Sequence, residues 1–250
     1  MAQREEADLI VKALFDVFGT EDKDQQYGVS PVYAQDAIKE MKDKGGYWKE
    51  NEWPGWFMKM KFQELPVLKY GDPFKPIKKV KQRFLQGEYL WDHRFNTYNS
   101  RHAGKVAFMS YDNLNDILQE FDGLGLLISN CHVELDRNGD IFRFHEALKG
   151  GSSEYTEDRE ADPKRHAWKR KSLFFIITLH SYYFTTEDFE KGTQEGWLGD
   201  HFQGFARQSD GGPRDTKPEF YLDFIPERCQ LETYRFNHAP WAYEDEDENI

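Results

Sequence analysis

Residues 172–184 form the most strand-like run in the chain, Ser-Leu-Phe-Phe-Ile-Ile-Thr-Leu-His-Ser-Tyr-Tyr-Phe. Aromatic and β-branched side chains fit a pleated surface packed on both faces, so the run predicts a central strand and requires a sheet around it. Further strand material is expected over residues 79–94, where two strands meet in a tight turn at Gln86-Gly87, and over residues 125–144. The latter region breaks into Leu126-Leu127-Ile128-Ser129, a stretch from Cys131 to Leu135, an Asn138-Gly139 turn and Ile141-Phe142-Arg143-Phe144, read as a strand.

Helical spacing surrounds these strands. Ala7, Ile10, Val11, Leu14 and Phe18 predict an amphipathic helix over 4–18 that ends near Gly19. A second helix is expected around Ala34 to Met41, stopped by Gly45-Gly46. A third covers 112–121 with Asp112 as its cap, a short one runs through Glu146 to Lys149 before Gly150-Gly151, and another starts at Thr185. Residues 51–62 read as a turn leading into either a helix or a strand, because Trp53-Pro54-Gly55 breaks the start of the segment. Residues 204–218 read as a loop. No fixed-period repeat or Pro/Ser linker divides the chain, so the expected fold class is mixed α/β (α+β): a central mixed sheet flanked by helices, in a single domain over 1–240. Residues 241–250, with five consecutive acids from Glu244 to Glu248, are expected to form an acidic disordered tail.

Composition narrows the function classes. With 250 residues and 38% of them hydrophobic, a sizeable core is affordable, yet no window approaches the roughly 20 apolar residues of a membrane span. The first twelve residues lack the basic-then-apolar order of a signal peptide, and two cysteines outside any CxxC pattern argue against a disulfide framework or a structural zinc. A soluble, cytoplasmic protein with no membrane partner is the expectation. The P-loop, GxSxG, HExxH and GxGxxG patterns are all missing from the sequence.

The net charge of −12 hides a local reversal. Between residues 69 and 105, Lys69, Lys75, Lys78, Lys79, Lys81, Arg83, Arg94, Arg101 and Lys105 outnumber Asp72, Glu88 and Asp92, and a second cluster joins Lys164, Arg165, Lys169, Arg170 and Lys171. Such patches attract phosphates even on an anionic molecule. Inside the first stretch lies Trp91-Asp92-His93-Arg94. Strand alternation places Asp92 and Arg94 on one face, and phosphodiester cleavage uses a carboxylate to hold Mg²⁺ and a cation beside the attacking water. The pattern suits a metal nuclease, or an ordinary ion-paired strand end.

The strand ending in Trp91-Asp92 also resembles the catalytic strand of PD-(D/E)XK type II restriction endonucleases, in which Trp-Asp-x-Lys supplies a metal-binding acid and a lysine. Other segments resemble the same group, in order. These are Asn51-Glu52-Trp53-Pro54-Gly55-Trp56-Phe57, Gly123-Leu124-Gly125-Leu126-Leu127-Ile128, the segment from Phe144-His145 through Leu148-Lys149-Gly150-Gly151 to Tyr155, and the loop Gln203-Gly204-Phe205-Ala206-Arg207-Gln208-Ser209-Asp210-Gly211-Gly212-Pro213-Arg214. The likeness spans roughly residues 50–225. Arg94 stands where the group has lysine, Asn96 where it has histidine, and Lys81 or Gln82 where an upstream acid belongs.

The resemblance implies a restriction-endonuclease-like fold, hydrolysis of double-stranded DNA with Mg²⁺, and a homodimer that meets a palindrome. Asp92 would be the metal ligand, with Asp72 or Glu52 assisting, and Arg94 or His93 stabilising charge or handling the proton. Arginine keeps the lysine's charge but is a poor proton-transfer group. Candidate DNA contacts are Lys149, Lys169, Arg170, Lys171, Arg207, Gln208, Ser209 and Arg214, since arginine and glutamine match base edges and lysine meets phosphate. Two alternatives share the fold: a catalytically silent DNA-binding protein, and a metal-independent nucleic-acid enzyme using His93 or His102.

Overall fold

The N-terminal helix α1 (Gln3–Phe18) buries Ala7, Ile10, Val11, Leu14 and Phe18, the spacing read from the sequence. The computed structural model describes residues 1–22, 25–79, 82–98, 104–151, 170–201 and 216–236, with the backbone alone for 20–22 and 25–29. After α1 come a small hairpin, β1 (Gly19–Asp22) and β2 (Gln25–Val29), the two-residue β3 (Val32–Tyr33) and helix α2 (Ala34–Asp43). Helix α3 (Trp53–Tyr70) follows, and resolves the open choice over 51–62 in favour of helix. Pro54 sits in the first turn, where a missing N–H costs nothing, so the proline starts the helix rather than breaking it.

Next is an antiparallel meander of β4 (Lys75–Lys79), β5 (Gln82–Gln86) and β6 (Leu90–Thr97). The remaining elements are β7 (Lys105–Ala107), α4 (Tyr111–Glu120), β8 (Gly123–Asp136), α5 (Asp140–Lys149), β9 (Arg170–Thr185), α6 (Thr186–Glu195), β10 (Leu198–His201), β11 (Lys217–Tyr221) and β12 (Gln230–Arg235). The main sheet has seven strands in the order β12-β9-β8-β6-β5-β4, with β3 also paired to β9. It is mixed: β6 runs parallel to β8, and the other pairs are antiparallel. The mixed α/β class with helices flanking a mixed sheet is therefore as expected.

Alternation along β8 divides two cores. Leu127 joins α1, α2 and α3 on one face, while Leu126 and Ile128 join Phe184, Phe189, Trp197 and Phe220 on the other. On that second face β10, β11 and β7 form a separate three-stranded sheet. Burial on both faces explains the nearly unbroken apolar run of β8. None of the described helices is long and apolar enough to cross a membrane.

Three local expectations are corrected. Residues 141–144 are not a strand but the start of α5, which buries Ile141, Phe142 and His145. Over four residues the alternation was ambiguous; over ten, the helical period decides. The cap of α4 is Ser110, whose hydroxyl accepts from the Asn113 N–H, and Asp112 lies within the first turn. The separate stretches at 126–129 and 131–135 are one strand, carried through by register shifts against β9 at Asn130/Cys131 and Glu134/Leu135. The helix beginning at Thr185 is α6, closed by a reciprocal pair between Thr185 and Asp188. Most of the 204–218 loop and the whole acidic tail lie outside the described residues.

Candidate functional site

The ladder between β5 and β6 is two pairs long, Leu85↔Trp91 and Gln86↔Leu90, and beyond it the strands part. β6 continues against β8 while β5 stays with β4. Were the ladder to continue in register, Gln82 would face Arg94. Their side chains span the gap instead, Arg94 Nη2 lying 3.5 Å from Gln82 Oε1. The fork opens a cleft of about 540 Å³. Its walls are Tyr47, Glu52, Gly55, Trp56 and Lys59 from the α2–α3 segment, Gln82 and Arg83 of β5, His93, Arg94 and Phe95 of β6, and Lys105 to Phe108 and Lys217 from β7 and β11.

At the base of the fork Asp92 is completely buried. Both of its oxygens are engaged. Arg94, two residues along the same face, donates from Nε at 2.9 Å and lies 2.8 Å away at Nη2, both to Oδ2. Lys59 donates from α3 to Oδ1. Asp92 faces the side of the sheet that carries Leu90 and Phe108, whereas α3 lies on the other side, so Lys59 reaches it only where β5 has left β6. The Arg94 guanidinium stacks on Phe108, 4.6 Å from the ring centroid.

Burial shapes the protonation of this cluster. It lowers the Lys59 ammonium well below its ordinary pKa, with the Arg94 charge adding to the fall, while the contact with Asp92 opposes it. Arg94 is lowered by burial to about 10 and stays charged at neutral pH. His93 is pushed well below the usual histidine range by burial, then by Lys59 and Arg94. Its imidazole is neutral at pH 7, accepts or donates at Nε2 to Ser129 Oγ (2.8 Å), and leaves Nδ1 without a partner.

Behind the site, Glu6 of α1 is wholly buried and receives Trp91 Nε1 at 2.7 Å, the Glu88 N–H at 2.9 Å and the Tyr89 N–H at 3.2 Å. It clamps the β5–β6 turn next to the strand that carries Asp92. On the other flank, Asn96 donates to Asn130 (2.8 Å), which donates to Thr178 (3.1 Å), a polar rung linking β6 to β8 and β9.

The residues named from sequence fall into three groups. Asp92, His93, Arg94 and Glu52 meet at the cleft, and Lys171 joins them by pairing with Glu52. Asp72 does not: it is exposed in the turn after α3 and lines no part of the cleft, because the Lys75↔Gln86 register sets that turn at the closed end of the meander while the fork opens toward Gln82. Lys149 pairs with Glu146 (2.9 Å) on α5, and Arg170 is buried with its guanidinium over Phe142. Lys169, Arg207, Gln208, Ser209, Arg214 and His102 lie outside the described residues. Sequence reasoning missed Lys59 and Lys217 as site residues, and named Arg83 and Lys105 only within the basic stretch from 69 to 105. Lys59 left a signal, as a lysine on the buried side of α3 between Met58 and Phe62; the other three are brought together by sheet topology.

A divalent cation fits this arrangement poorly. The two oxygens of Asp92 already hold two cationic side chains, Glu52 is held by Lys171, and no group of three His, Cys, Asp or Glu side chains gathers among the described residues. The donor set suits an anion. No family model, curated protein or solved structure matches the chain.

Proposed function

We propose that this chain is a double-stranded DNA-binding protein of the restriction-endonuclease type, and that the cleft at the β5–β6 fork holds the phosphodiester backbone. One observation carries the reading. Lys59, Arg83, Arg94, Lys105 and Lys217 line the cleft with Glu52 as the one acid among its described lining residues, and the carboxylate beneath, Asp92, is already neutralised. Arg94 already balances the Asp92 carboxylate, so the cationic lining above it is free of acid beneath, and a phosphate entering the cleft meets charge-assisted donors. The resemblance of the segments at 51–57, 91–94 and 123–128 to restriction endonucleases, and the mixed sheet flanked by helices, supply the choice of duplex DNA among polyphosphates.

The test is equilibrium binding of purified protein to a duplex oligonucleotide across a salt series. Binding that weakens linearly in log salt is expected. Absence of binding at low ionic strength, or affinity indifferent to salt, overturns the reading. The resemblance also implies two copies on a palindrome, which the mass of the complex in sedimentation would reveal.

A second reading, Mg²⁺-dependent cleavage, is favoured by one observation: Glu52 and Arg94 line the same cleft above Asp92. Because both Asp92 oxygens are occupied by Lys59 and Arg94, this reading requires the cluster to rearrange on DNA. Nicking of supercoiled plasmid that requires Mg²⁺ and is lost in Asp92→Asn would establish it; an intact plasmid across a broad panel leaves the silent DNA-binding protein.

A further inference from the structure

The cationic lining accounts for a phosphate but not for the aromatic wall opposite. Tyr47 and Trp56 stack with centroids 4.2 Å apart at 30°, and both remain open to solvent, at 41% and 36% exposure. The Arg83 guanidinium lies over the Tyr47 ring at 5.4 Å, so Arg83, Tyr47 and Trp56 form one stacked column on the cleft wall, in which Trp56 keeps ring surface open to the cleft. Exposed, stacked aromatic rings beside cations are what a nucleobase face needs, whereas a duplex backbone presents only phosphate and sugar to its binder. His93 also lines the cleft, 2% exposed, with Nε2 bonded to Ser129 and its buried Nδ1 without a hydrogen-bond partner.

We infer that the cleft takes one unstacked nucleotide from the DNA, its base against the Trp56 ring and its phosphate among Arg94, Lys105 and Lys217. A volume of about 540 Å³ accommodates a single nucleotide rather than a length of duplex. The inference rests on the DNA-binding reading above and narrows its substrate to DNA with an extrahelical or unpaired position. A duplex that already carries such a position spares the protein the unstacking energy, and so binds better than its fully paired counterpart.

The experiment compares wild-type binding to two duplexes of the same sequence, one fully paired and one with a single-nucleotide bulge, in the same low-salt buffer. The bulged duplex is expected to bind roughly tenfold more tightly, the lower part of what stacking on one aromatic contributes. Trp56→Ala should bring the two affinities together, and Trp56→Phe should keep them apart. Equal, salt-sensitive binding of both duplexes by the wild type overturns the nucleotide inference and leaves DNA binding standing. Binding to neither overturns both. A preference that persists undiminished in a folded Trp56→Ala protein overturns the assignment of the base to the aromatic wall.

Discussion

Lys59 and Asp92 meet across the plane of the main sheet: the lysine comes from a helix on one face, the carboxylate points to the other, and they touch where β5 has separated from β6. The contact makes Asp92 an anchor for two cations, with Arg94 on its second oxygen. It also ties the position of α3 to that of the strand beneath the cleft.

Removing the carboxylate should therefore cost more than removing either cation. Asp92→Ala leaves Lys59 and Arg94 without the buried carboxylate they share, and a loss of about 3 kcal/mol is expected, the lower end for breaking a buried ion pair from one side. Lys59→Met keeps the Asp92–Arg94 pair and should cost clearly less. Urea unfolding of the two variants checks the order; a larger loss for Lys59→Met would show that Arg94 does not compensate Asp92.

The exposed cations of the cleft should act on affinity rather than on folding. Lys105 is exposed on β7, with its ammonium over the Tyr221 ring. Lys105→Ala is expected to leave the unfolding midpoint nearly unchanged while reducing the slope of log affinity against log salt by about one, the signature of one lost phosphate contact. Fluorescence anisotropy over a salt series measures it.

Glu6 gives the fold a defined pH dependence. Burial raises its pKa above the ordinary value of 4.5, outweighing its three hydrogen bonds. The folded state then binds this proton more tightly than the unfolded chain, so the group's contribution is fully present below about pH 4.5 and declines as pH rises through the raised folded pKa. Glu6→Ala should remove that dependence, yet destabilise the protein at neutral pH by about 2–4 kcal/mol, because the Trp91 indole and two turn N–H groups lose their acceptor. Unfolding free energies of both proteins between pH 4 and 8 provide the check.

Gly125 lies beside Trp91 in the parallel ladder, and a Cβ there would sit 2.2 Å from the indole. The indole is wholly buried and held by Glu6, so it has nowhere to move. Gly125→Ala is expected to cost about 3 kcal/mol, the upper part of the range for overpacking, and to change the near-ultraviolet circular dichroism of the tryptophans.

What could be read locally was read well where periodicity ran long. α1, the β5–β6 turn, β9 and the Thr185 cap follow from spacing and capping chemistry within one segment. Asp92 and Arg94 share a face because they stand two apart on a strand, and they are hydrogen-bonded as that implies. The misread start of α5 shows the limit: four residues carry too little period to separate helix from strand.

The linear chain thus determined the long periodic segments, α1 and β9 among them, and the shared face of Asp92 and Arg94, because those depend on neighbours one to four residues away. Tertiary structure alone decided that Asp92 answers Lys59 and not Asp72, and that Arg83, Lys105 and Lys217 converge on one cleft. These follow from where the β5–β6 ladder stops and from β7 and β11 forming a second sheet, outcomes of packing the whole core that no local pattern encodes.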